Sequence, residues 1–274
     1  SIIMLGITAF IGYSGYKVYM GEFYMRQSIE AALSGNGNMT YEYQRRAINI
    51  NPRRDLYHNT YAQTNLALAN SIAARENLTD TDRQTIQSLI AQAIRTTRVA
   101  TEVVTPISPS NWETRATIYR SIINIADNAI DWTLGAYNTA IQLDPANPRL
   151  RLELGGVLYS QGDYLSAANQ FRQATALKPD YANAYYNSAH SLIELDDLQN
   201  AKRALEITKT LVSPESEDFA KVDGQLAIIN QSLESVAGAA TDRPTVEEIA
   251  GIETTPENQE PLTNAAEQQQ IENE

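Results

Sequence analysis

Cysteine is absent from the 274-residue chain, which excludes structural disulfides and thiolate metal sites while leaving the redox compartment open. Histidine is nearly absent: His58 and His190 are the only two, and they stand far apart. No HExxH pair, glycine-rich phosphate loop or GxSxG elbow accompanies them. Without a convergent set of titratable groups, no catalytic residue, metal, cofactor or small-molecule substrate is expected. Basic residues are outnumbered, 21 Lys and Arg against 33 Asp and Glu, for a net charge of −12. That balance argues against a nucleic-acid partner, which requires a basic face.

Much of the acidity is local. Thr241–Glu274 carries nine acidic residues and one arginine, a net of −8, which leaves −4 for the rest. This stretch is rich in Pro, Gln, Asn and Thr and almost free of aromatics. It buries too little apolar surface to offset its chain entropy, so 237–274 is predicted to be a disordered acidic tail, with Val246-Glu247-Glu248-Ile249 as its only candidate binding segment.

The opposite end is apolar. Ile2–Tyr16 contains no charge until Lys17 and is followed by Tyr19, Phe23 and Tyr24, aromatics suited to a bilayer interface. Fifteen residues fall short of the roughly 20 that a span needs, so residues 1–20 read as the end of a transmembrane helix. A buried array-capping helix and a signal peptide are the rival readings. No basic n-region or clear cleavage site supports the signal. The membrane-anchored reading expects an extracytoplasmic array, although the flanking charges Lys17, Glu22, Arg26 and Glu30 balance and do not settle the side.

Between the two ends the chain repeats. Leu154-Gly155, Gly162-Asp163-Tyr164, Ala167, Phe171, Ala174 and Pro179 are followed at the same offsets by Ala189, Leu198, Ala201 and Leu205, and then, with one extra residue before it, by Pro214. Small residues at 155 and 167 let two antiparallel helices approach, with Leu154, Leu158, Phe171 and Leu177 filling the space around them. Gly162-Asp163 breaks the apolar period as a turn, Pro179 closes the second helix, and Asp180 or Asn183 is placed to cap the next. Pro145 and Pro52 continue the register backwards, with Tyr137 and Ala140, then Tyr43 and Ala47, read as equivalents of Phe171 and Ala174. Pro106 lies 54 residues after Pro52 and 39 before Pro145, which implies insertions of 20 and 5 residues into a 34-residue unit. The larger insertion lengthens both helices of the second unit, Asp55–Glu76 and Asp80–Val104, about an Asn77-Leu78-Thr79 turn. Glu217–Val236, with Phe219, Val222, Leu226, Ile229 and Leu233 on one face, reads as an end-covering helix.

These residues resemble the tetratricopeptide repeat, a helix-turn-helix unit of about 34 residues. The resemblance implies an all-α solenoid of five antiparallel hairpins over 21–236 that binds a protein or peptide along its concave face. More broadly, the chain is similar to tetratricopeptide arrays that follow multi-span membrane regions of bacterial proteins, some of them O-antigen ligase or polymerase-like. That implies, as an alternative function, a non-catalytic recruitment domain of a surface-polysaccharide enzyme. A free soluble scaffold is the third reading.

In such arrays the first helix of each repeat lines the concave face, and residues three or four apart share it. This selects Glu113, Thr117 and Arg120, then Arg149, Leu152, Gly156 and Tyr159, then Asn183, Tyr186, His190 and Ile193. Tyrosine and arginine are residue types that anchor interfaces. The carboxylate clamp that grips chaperone tails is not expected, since Leu152 and Gly156 stand where it needs lysine and asparagine, although Asn187 matches. Trp112 and Trp132 read as core, and Glu194, Asp196 and Asp197 as a solvated turn.

Overall fold

The computed structural model describes residues 2–241. The expectations for the acidic tail beyond 241 lie outside the described residues. The chain divides into two compact units, Ser1–Ala227 and Ile228–Glu274.

Eleven α-helices and no strand occur among the described residues: α1 (Ile2–Leu33), α2 (Gly37–Ile50), α3 (Asp55–Ala73), α4 (Asp80–Val99), α5 (Pro109–Arg120), α6 (Ala129–Leu143), α7 (Pro148–Ser160), α8 (Tyr164–Leu177), α9 (Ala182–Glu194), α10 (Leu198–Leu211) and α11 (Glu217–Thr241). Consecutive odd and even helices pair as five hairpins, and each hairpin packs on the next, giving a helical solenoid.

The apolar period and the turn chemistry explain the C-terminal hairpins. Gly155 on α7 faces the Phe171 ring of α8 so closely that a Cβ there would lie 2.6 Å from a ring carbon. The small residue thus admits the phenyl ring of the opposing helix, with Ala167 and Ala174 fully buried in the same hairpin. Leu177, expected in this core, is instead 41% exposed at the end of α8. Gly162 takes φ +79° in the turn, and the Asp163 carboxylate accepts the Ser166 N–H at 3.1 Å to start α8. Neither Asp180 nor Asn183 caps α9: Tyr181 holds the N-cap position without a side-chain bond.

Counted back from its proline, Gln44 and not Tyr43 occupies the Phe171 position of the first hairpin. Gln44 is buried there, while half-buried Tyr43 stacks on Tyr24 with centroids 6.3 Å apart. The long second hairpin matches its expected bounds closely. Thr79 and Asp82 form a reciprocal capping box at the start of α4, and two bonds from Thr79, side chain then backbone, hold the Asp82 carboxyl below its ordinary range. At its far end α4 widens into a π-helical turn, Ala100–Val104, in which Thr105 N–H donates to the Ala100 carbonyl. Asn111 of α5 fills the opened backbone, donating to the carbonyls of Ala100 (3.1 Å) and Thr105 (3.0 Å) while accepting from Asn59 (2.7 Å).

Helix α1 runs unbroken from Ile2 to Leu33, and its first buried residue is Gly21. A Cβ at Gly21 would come within 3.0 Å of the Tyr57 hydroxyl, so α1 meets α3 closely where the packed region begins. Burial, with the Glu22 carboxylate beside it, pushes that hydroxyl up to about 12. Ahead of Gly21, Ile2, Leu5, Phe10, Tyr13 and Tyr16 are all exposed.

Candidate partner-binding face

Three first helices present the residues selected from sequence. Pro109 opens α5 behind Ser108, and Pro148 opens α7 behind Asn147, whose side chain accepts the Arg149 N–H at 3.1 Å. With the helices fixed in this way, Glu113, Thr117 and Arg120 follow one stripe of α5, Arg149, Leu152 and Tyr159 one stripe of α7, and Asn183, Tyr186 and His190 one stripe of α9.

The stripes are cross-linked from hairpin to hairpin. Arg149 donates to Glu113 at 2.6 Å, and Arg120 donates to Glu153 at 2.7 Å, both between α5 and α7. Tyr159 donates to Glu194 of α9 at 3.5 Å and meets Tyr164 edge-on, with centroids 5.2 Å apart. Burial and then the Glu194 charge raise the Tyr159 hydroxyl above its ordinary value. The face is therefore charge-balanced within itself: both arginines already hold a carboxylate. The more exposed pair, Arg120–Glu153, contributes about 0–1 kcal/mol, so an incoming chain can exchange its own groups for it at little cost, while the Glu113 side chain that holds Arg149 is only 14% accessible. Thr117 and Asn183 are exposed, and Leu152 is half-buried between them in chain order.

Tyr186 and His190 stand in a different setting. They contact each other edge-on at 4.5 Å, and Gln225 of α11 reaches both, 3.2 Å from the tyrosine hydroxyl and 3.1 Å from His190 Nε2. Lys221 lies 5.2 Å from the centroid of the Tyr186 ring. A cavity of about 220 Å³ opens beside them, lined by Asn183, Tyr186, Asp218 and Lys221. Burial lowers the His190 pKa, Lys221 lowers it further, and Glu194 opposes both.

Sequence reasoning missed the partners of these residues: Glu153, Glu194, Lys221 and Gln225. A signal existed for the first two, since Glu153 follows Arg120 by 33 residues and Glu194 follows Tyr159 by 35, close to one repeat period. The two tryptophans differ: Trp112 packs against the core of Ala116, Ala136, Tyr137, Leu154 and Val157 as read, and Trp132 does not belong to the core. Trp132 is 47% exposed, and half-buried Trp112 donates its indole N–H to the Pro106 carbonyl at 2.7 Å. The turn after α9 is as read, with Asp196 at φ +57° and Asp197 capping α10. No cluster of three or more metal-ligating side chains occurs among the described residues.

The family model described as TPR repeat matches residues 155–195, from the middle of α7 through the turn after α9. Among solved structures, a thermophilic TPR protein of Thermus thermophilus is 16% identical, with 77% of this chain and 99% of that one covered at a TM-score of 0.52. MamA 41-end from Desulfovibrio magneticus RS-1 is 11% identical, with coverage of 70% and 94% and a TM-score of 0.53. At such identities the likeness concerns the fold. No curated protein matches the sequence. Residues 155–195 thus carry a tetratricopeptide repeat, and the chain around them folds as a tetratricopeptide-type helical solenoid.

Proposed function

We propose that this chain is a membrane-tethered interaction scaffold that holds a protein or peptide partner along the first helices of its hairpins. The observation that carries the reading is the row of polar contacts linking α5, α7 and α9, Glu113–Arg149, Arg120–Glu153 and Tyr159–Glu194. An extended segment laid across these helices meets guanidinium, carboxylate and tyrosine groups in alternation. The chemistry suits a segment of mixed charge rather than a purely acidic one, because each arginine comes with its own glutamate.

The tether is α1. It is the one helix among the described residues that is long and apolar enough to cross a membrane, and none of its most apolar window is buried. Ile2–Met20 amounts to about 28 Å of helix, near the roughly 30 Å of a bilayer core.

A photo-crosslinking residue introduced at Leu152 or Thr117 tests the binding face, with the intact chain in membranes. Partner capture from these positions is expected, and the joint change Arg149→Ala and Tyr159→Ala is expected to weaken binding at least about tenfold, equivalent to about 1.4 kcal/mol. Capture confined to positions on the second helices, or full affinity in the double variant, overturns the assignment. For the tether, the chain is expected to float with phosphatidylcholine vesicles and to lose that behaviour when residues 2–16 are removed. Flotation of the shortened chain would contradict it.

A further inference from the structure

We propose that the chain carries a second docking groove, between the second helices α8 and α10, for an acidic amphipathic helix of a partner protein. A cavity of about 670 Å³ lies there. Its floor is the face of α9 turned away from Tyr186 and His190, and its walls are α8 and α10. Leu165, Leu192, Leu195 and Ile207 supply the apolar lining, and Leu165 is 64% exposed while Leu195 and Ile207 are each 40% exposed. Such side chains gain by being covered, at about 25 cal/mol per Å² of apolar surface removed from water.

Charge selects the occupant. Arg172 on one wall and Arg203 on the other make no salt bridge among the described residues. Their guanidinium groups donate only to neutral amides one turn away, Arg172 to Asn169 at 3.1 Å and Arg203 to Asn200 at 3.5 Å. The single acidic residue at the groove, Asp197, is committed to Asn200, whose backbone N–H and side-chain amide donate to its two oxygens. This differs from the first-helix face, where Arg120 and Arg149 are already neutralised by glutamates. An apolar trough flanked by two available guanidinium groups is complementary to a helix bearing leucine-type residues on one side and carboxylates beside them, since charge-assisted arginine–carboxylate bonds are the strongest pairing open to these groups.

The test uses a fluorescein-labelled helix-forming peptide of about 16 residues, roughly 24 Å long. Leucine occupies every third or fourth position with glutamate beside it, and a control peptide carries lysine in place of glutamate. Saturable binding of the acidic peptide to the intact chain is expected, weakened by added salt and at least about tenfold weaker in the Arg172→Glu, Arg203→Glu variant. The milder Arg172→Gln, Arg203→Gln variant guards against misfolding and is expected to lose affinity with unchanged helicity and melting. The Arg149→Ala, Tyr159→Ala variant is expected to bind the peptide normally, which separates this groove from the first-helix face. Absence of binding, equal binding of the lysine peptide, or undiminished affinity in both arginine variants overturns the proposal. So does self-association of the chain that the same variants abolish, which would place a second copy in the groove.

Discussion

From α2 to α5 the interior of the solenoid mixes hydrogen-bonding side chains with apolar ones; from α6 to α10 it is built almost wholly with shape. Thr40, Gln44, His58, Asn59, Asn65, Thr97, Thr101, Asn111 and Thr114 are buried in the first region. Thr40, Asn65, Thr97, Thr101 and Thr114 donate to carbonyls three or four residues earlier, but Asn59 and Asn111 pair across 52 residues, Asn111 reaches the carbonyls of Ala100 and Thr105, and the Thr101 hydroxyl also accepts from Arg115. In the second region the buried polar residues are Thr133, Ser191 and Thr208, and each hydroxyl donates to the carbonyl four residues earlier in its own helix. These need nothing from a neighbouring helix. The rest of that interior is Ala, Leu, Val, Phe and Tyr fitted together, as Gly155 is to Phe171. One hairpin architecture is thus reached by two chemistries, and the family pattern recognises only the part of the chain that uses the second.

The comparison is sharpened most by removing shape where shape dominates. Phe171→Ala is expected to cost about 3–5 kcal/mol, through lost burial and the cavity left behind. Gly155→Leu, which drives a side chain into the same ring, is expected to cost roughly 1–3 kcal/mol. Urea unfolding checks both, and a loss under about 1 kcal/mol from either would mean the hairpin re-packs without strain.

Removing direction where direction contributes comes next. Asn111→Leu strands the Asn59 amide and takes one of the two hydrogen bonds accepted by each of the carbonyls of Ala100 and Thr105, which keep the N–H groups of Thr105 and Ser108, with an expected cost of about 1–3 kcal/mol. Amide exchange should accelerate from residue 59 to 115 while amides between 154 and 205 keep their protection. Equal acceleration in both stretches would dissolve the distinction between the regions.

Smaller again is the capping box of the long hairpin. Thr79→Ala is expected to cost about 1 kcal/mol and to fray the start of α4, read as faster exchange of its first amides. No change in either quantity would show that the Thr79–Asp82 pair is incidental.

The smallest expected effect depends on pH. Because the His190 pKa is depressed on folding, the unfolded chain binds more protons below the ordinary histidine value near 6.5. Stability from this residue is present in full above that pH and falls as the pH drops through the lowered folded value. Melting followed from pH 7.5 to 5 should show a decline that His190→Gln reduces. Identical profiles would mean that the Tyr186, Gln225, Lys221 and Glu194 surroundings do not hold the imidazole neutral.

How much could be read beforehand follows the same division. Gly162, Asp163 and the prolines at 145, 179 and 214 act on their own stretch of backbone, so hairpin boundaries were legible from local sequence, including the lengthened second hairpin. The identity of the buried side chain at position 44 was not, because an apolar-period reading favours Tyr43 over a glutamine whose burial depends on neighbours from other helices. The π-helical turn at Ala100–Val104 was illegible for a related reason: it is compensated by Asn111, eleven residues from Ala100, and a contact of that kind leaves no periodic mark. Among the site residues, the stripe on each first helix followed from the three-and-four spacing. That Arg120 and Arg149 would be engaged by Glu153 and Glu113 required pairing residues one repeat apart, and Gln225 lies in a helix outside the repeat pattern.

The unbroken course of α1 gives the proposed scaffold a compass bearing. A helix that passes from the apolar stretch at Ile2 to the packed turn at Gly21 without a hinge transmits rotation as well as position. Each residue advances the helix by about 100°, so inserting one alanine between Tyr16 and Gly21 turns everything beyond it by more than a quarter circle about the helix axis while moving it only about 1.5 Å along that axis. For a tethered scaffold, the angle between the partner-binding face and whatever side of Ile2–Tyr16 a neighbour in the bilayer holds is then set by residue count, and an insertion of seven residues, close to two full turns, restores the angle that an insertion of two destroys.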